Sequence, residues 1–95
     1  MALFPLDGPS DHGQITATTT EQEIKVGASA LSERKVITLQ PQDGKVRVLF
    51  KTGLAASFGI EILKGDVYSF EASQTQPVYI LTETGSVVVN IIERA

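Results

Sequence analysis

From Ile15 onward the chain alternates hydrophobic and polar side chains in short runs, each closed by glycine, proline or aspartate. The clearest run is Lys45 to Lys51, where Val46, Val48 and Phe50 share one phase and Lys45, Arg47 and Lys51 take the other. A period of two is the signature of a strand with one buried face. The same phase places Ile24 and Val26 opposite Glu23 and Lys25, pairs Ile37 with Leu39, and pairs Ile60 with Ile62 against Glu61. Further β-rich runs fall at Ile15–Thr19, Val67–Glu71, Val78–Thr82 and Ser86–Glu93. Pro41 ends the run that begins at Lys35, because proline cannot donate to a ladder. Asp43-Gly44 and Glu83-Thr84-Gly85 read as hairpin turns. Between Gly53 and Gly59 the segment LAASF has room for a helical turn and no more. No stretch holds helical periodicity for ten residues. The expected fold is therefore all-β: an antiparallel β-sandwich, jelly-roll-like, of about eight short strands. Its interior should hold Ile24, Val26, Ile37, Leu39, Val46, Val48, Phe50, Ile60, Ile62, Val87, Val89 and Ile91.

Two segments depart from that pattern. Residues 1–13 (MALFPLDGPSDHG) place Leu3, Phe4 and Leu6 among prolines and glycines with no shared face, so they read as an extended N-terminal arm ahead of a sandwich domain at 14–95. The arm predicts a partner-binding segment, with Leu3, Phe4 and Leu6 as apolar anchors and Pro5 restricting the free chain. The last strand is apolar on both faces: Val87, Val89 and Ile91 on one, Val88 and Ile92 on the other. A half-solvated antiparallel strand does not look like this. Either a loop or the arm covers its second face, or Val88 and Ile92, with the outward-phase Leu49, meet a neighbouring subunit.

Composition narrows the function classes. A chain of 95 residues makes one small domain with a modest core. With 42% hydrophobic and 20% charged residues it is ordinary globular material without a membrane-spanning run. The net charge of -3 and scattered Lys and Arg supply no basic track for direct nucleic-acid binding. There is no cysteine, hence no disulfide framework, and the first residues lack the n- and h-regions of a signal peptide.

The succession LSERKVITLQ, VRVLFKTGLAASFGIEILKGD and VYILTETGSVVVNIIE resembles a module of small structural proteins of tailed bacteriophages, across roughly Thr16 to Glu93. The matching positions are Arg34 and Lys35, Gly53, Gly59, Gly65 with Asp66, and Gly85 followed by Val87, Val89 and Ile91. Pro41 departs from the pattern, and the arm lies outside it. The resemblance implies a virion protein, assembled in the host cytoplasm, that decorates or cements a capsid. Its partner would be the major capsid protein or another virion protein, and it would form a homo-oligomer. The alternative is a tail or head-tail accessory that recognises a receptor or glycan through loops such as Thr52–Ile60.

Nothing in the sequence specifies catalysis. Ser10, Asp11 and His12 are consecutive and cannot converge on one reacting atom; a turn is the expected structure there. One histidine without cysteine makes no zinc site of the usual kind. The acids, Glu93 included, are dispersed and read as solvated surface. No phosphate loop, cofactor motif or catalytic residue is expected, and the chain reads as no enzyme.

Overall fold

A computed structural model of the protein describes residues 8–95. Eight strands and one short 3-10 turn follow one another: β1 (Ser10–Ala17), β2 (Gln22–Glu23), β3 (Val36–Pro41), β4 (Val46–Leu49), the 3-10 turn (Ala56–Phe58), β5 (Ile60–Ile62), β6 (Tyr68–Glu71), β7 (Tyr79–Leu81) and β8 (Val87–Arg94). They form two four-stranded antiparallel sheets, β1-β8-β3-β6 (sheet A) and β2-β7-β4-β5 (sheet B). Within these, the first strand pairs with the last, the second with the seventh, the third with the sixth and the fourth with the fifth. That nesting is a jelly roll: one long ribbon closed at the β4–β5 connection and wound into two layers.

The core is the set of inward phases from both sheets. Ile24, Ile37, Leu39, Val46, Val48, Ile62, Val87, Val89 and Ile91 are buried together, joined by Ala17, Ala72, Val78 and Ile80. Period-two alternation thus located most of the interior. Val26 is half-buried, and Phe50 and Ile60 are exposed. Val26, in the β2–β3 connection, still packs against the core; Phe50 and Ile60 are corrections with one cause. Phe50 lies beyond the end of β4, and Ile60 sits on β5, the terminal strand of sheet B. An inward phase at an open edge has a neighbour on one side only.

The turn signals mark reversals but not hairpins. The Asp43-Gly44 turn joins β3 in sheet A to β4 in sheet B, and Glu83-Thr84-Gly85 joins β7 in sheet B to β8 in sheet A. Both are arches across the sandwich. Gly44 is required there, since a Cβ at this position would stand 2.7 Å from Val87 Cγ2. Asp43 fixes the arch by accepting a hydrogen bond from Val88 N at 2.9 Å. Gly65 has φ +83 in the turn closed by Asp66 N to Leu63 O, the conformation a type II turn asks of its third residue.

The sandwich begins earlier than residue 14. Ser10 to Gly13 are the first half of β1, paired with Arg94 to Ile91, and Gly8 N donates to Ala95 O. The expected turn at Ser10-Asp11-His12 is strand, so successive side chains leave on opposite faces. Leu3, Phe4, Pro5 and Leu6 lie outside the described residues.

One inward position is charged. Glu93 continues the phase of Val87, Val89 and Ile91 and is fully buried, which corrects its reading as a surface acid. Its Oε2 lies 2.8 Å from Nη1 of Arg34, itself buried. Arg34 spends all five of its N–H donors: Nε on Ala72 O, Nη1 on Glu93 and Ile24 O, and Nη2 on Ser73 O and Gln76 O. Glu93 in turn accepts from Val26 N and Leu31 N. The pair ties the long β2–β3 connection and the β6–β7 loop to the last strand. Glu33, just before Arg34, has φ 58, a left-handed conformation in a non-glycine residue, in the turn that closes from Arg34 N to Leu31 O.

Candidate assembly surface

Sheets A and B end on the same side in β6 and β5, two short strands joined by residues 63–67. Here the inward phases run out of partners. Phe50 and Phe70 meet edge to face with ring centroids 5.7 Å apart, and Tyr68 lies against Phe70 at 5.5 Å. The three rings close the gap between the sheets, yet Phe50 and Tyr68 remain exposed. Ile60 is exposed opposite Val48, its β4 partner.

The adjoining connections add apolar side chains that face no core. Phe58, ending the 3-10 turn, is 74% exposed, Val67 65% and Leu63 50%, with Leu54 also exposed. Among the described residues, every large hydrophobic that is exposed falls between Phe50 and Tyr68. Single exposed hydrophobics are unremarkable on any protein, but their confinement to one segment makes this a candidate interaction surface. Alternation could have revealed part of it. In the run Ile60–Leu63, Leu63 falls on the solvent phase with Glu61, and Val67 follows Gly65-Asp66 without a strand partner.

The anticipated subunit contacts sit elsewhere. Leu49 is buried within its own protomer, outside the main core cluster, on a strand against which the 3-10 turn packs. It offers no surface for a neighbour, because the β4–β5 connection folds back over that side of sheet B. Val88 and Ile92 are half-buried on the outer face of sheet A. β8 lies between β1 and β3, so Thr16 beside Val88, and His12 and Thr38 beside Ile92, shield these two side chains laterally while the outer face they share leaves them partly exposed. Tyr68 and Phe70 are neighbours along β6, and Tyr68 borders solvent.

A charged cluster occupies the outer face of sheet B. Arg47 Nη2 is 2.9 Å from Glu61 and 3.3 Å from Glu83, and Lys45 Nζ approaches the same two carboxylates at 3.6 and 3.4 Å. Arg47 also donates to Gly59 O, anchoring the end of the β4–β5 connection. Hydrogen bonds from Lys45 and then Arg47 hold the Glu83 carboxyl below the usual carboxylate range. A carboxyl whose pKa falls on folding stabilises the fold above its unfolded pKa, and that contribution vanishes as pH drops through the lowered value. Glu83→Gln is therefore expected to lower the urea midpoint slightly at neutral pH. The difference should disappear in acid and shrink in high salt, because the cluster is solvent-exposed. Urea titrations of both proteins across pH check this.

No protein-family model matches the chain, and no curated protein matches it. A solved structure described as "Bacillus endospore appendages form a novel family of disulfide-linked pili" is similar to 99% of this chain and 96% of its own, with 22% identity and a TM-score of 0.46. The present chain has no cysteine.

Proposed function

We propose that the protein is a structural subunit, without catalytic activity, that builds a supramolecular assembly by burying the apolar side of its sandwich against other protein. The observation that carries this reading is the confinement of exposed large hydrophobics to residues 50–68, around the open edges of β5 and β6. Fully burying one such side chain contributes about 1.5 to 3 kcal/mol. A few together supply useful affinity after ordering costs, and repetition around an oligomer adds avidity. On the sequence resemblance, the finer reading is a decoration or cement protein on a bacteriophage capsid, with Leu3, Phe4, Pro5 and Leu6 as a second attachment to the capsid protein.

The test is sedimentation of the purified chain and of a Phe58→Ser, Leu63→Ser, Val67→Ser variant. The native chain should form oligomers, and the variant, whose changes lie outside the core, should sediment as a folded monomer. Unaltered oligomers in the variant would sink the proposal. For the arm, only residues 1–7 should be removed, since Gly8 and Ser10 already belong to the sheet A end. That deletion should leave the melting temperature unchanged and abolish binding to particles lacking this protein; undiminished binding would reject the capsid anchor.

A further inference from the structure

The outer face of sheet A is concave where β1, β8 and β3 lie side by side, enclosing a groove of about 490 Å³. Strand register dictates its lining. Gln14, Asn90 and Gln40 stand directly across from one another, so three carboxamides form a row over three strands. The next row sets His12, Ile92 and Thr38 in line. Val67 stands at the β6 side of the groove.

The hydrogen bonding of the row leaves a defined remainder. Gln14 Nε2 donates to Asn90 Oδ1 at 2.8 Å, which leaves the Asn90 amino group and the Gln14 carbonyl available to a ligand. Reversing both amides would leave a carbonyl and an amino group instead, so either assignment presents one donor beside one acceptor. Gln40 is held in place, donating to Gly65 O at 2.9 Å and accepting from Gln42 Nε2 at 3.1 Å. Among the described residues, no Asp, Glu, Lys or Arg lines the groove.

We propose that this groove binds a neutral saccharide of one or two rings. Its volume lies within the range of small-molecule sites, roughly 300 to 1,000 Å³. A cationic ligand would find no carboxylate and an anionic one no Lys or Arg among the described lining residues, while a purely apolar one would leave the carboxamides without partners. A sugar hydroxyl both donates and accepts, which matches the paired Gln14 and Asn90 amides, and the C–H face of the ring can rest on Ile92 and Val67. No Phe, Tyr or Trp lines the groove among the described residues, so a single unit binds weakly and affinity grows through repetition on an assembly. The groove uses the flat of sheet A and shares Val67 alone with the apolar β5–β6 surface, so substitutions at Phe58 and Leu63 separate the two readings.

The experiment is a heteronuclear NMR titration of the full chain with the methyl glycosides of glucose, galactose, mannose and N-acetylglucosamine. At least one should shift the side-chain amides of Gln14, Gln40 and Asn90 saturably. Asn90→Leu should weaken binding about tenfold or more, and Gln14→Ala, an exposed change on an edge strand, serves if that variant misfolds. Phe58→Ser should bind as the native chain does. Absence of saturable shifts with all four glycosides, or equal binding by the groove variants, would overturn the assignment. So would a synthetic MALFPLD peptide that occupies the groove while the glycosides do not, which would give the face to the chain's own first residues.

Discussion

Glu93→Gln or Arg34→Ala should cost about 3 to 5 kcal/mol of folding stability, a large share of the roughly 5 to 15 kcal/mol available to a small domain. The reason is asymmetric. The intact pair is fully satisfied: five Arg34 donors meet four carbonyls and one carboxylate, and Glu93 collects two backbone N–H groups besides. Removing Glu93's charge leaves a guanidinium buried without its counter-ion. Removing Arg34 strands a carboxylate and also leaves the carbonyls of Ile24, Ala72, Ser73 and Gln76 without this donor. Urea denaturation of the single variants should show midpoints far below native. The double replacement Arg34→Met, Glu93→Leu removes both buried charges but should stay well below native, since four carbonyls and two backbone N–H groups lose the partners that this pair supplied. Single variants with native midpoints would mean that the pair is not buried as described.

Val48→Asp should abolish soluble folding altogether. Val48 is buried at the centre of β4, paired with Ile60 on one side and Ile80 on the other. The substitution forfeits about 1.5 to 3 kcal/mol of apolar burial and places a carboxylate where no described cation faces it. Such an uncompensated charge costs several kcal/mol more, so the sum reaches the whole stability of a domain this size. Ile62→Asp should behave alike, being buried on the adjacent strand. Expression in the soluble fraction with a native circular dichroism spectrum for either variant would contradict the core assignment. By contrast, Phe58→Ser should fold normally, because its ring is mostly in solvent. The contrast between these positions is the strongest check on which phase faces inward.

The alternation of Val46 and Val48 with Lys45 and Arg47 determined by itself that this segment is a strand and which side of it is buried; Val87 to Ile92, apolar in both phases, reads as a strand whose second face needs a cover. Strand periodicity is a local property: side chains point to opposite faces whatever the partner. For the same reason the sequence carried the number of strands and the sandwich class. It also carried more than was read from it, since Glu93 sits on the buried phase of β8, and phase alone marks it as an interior charge in need of a cation. What only the tertiary structure decided is which strands are neighbours. Asp43-Gly44 and Gly85 specify that the chain reverses, but a reversal serves a hairpin or an arch equally well, and pairing is settled by the simultaneous burial of both sheets. The same holds for Phe50, Ile60 and Leu49. Whether an apolar phase is covered depends on whether its strand is central or terminal and on where a distant loop folds, and these are consequences of the nested jelly-roll order rather than of any local run. Gln14, Asn90 and Gln40, far apart in sequence, become a row only through the register of β1, β8 and β3.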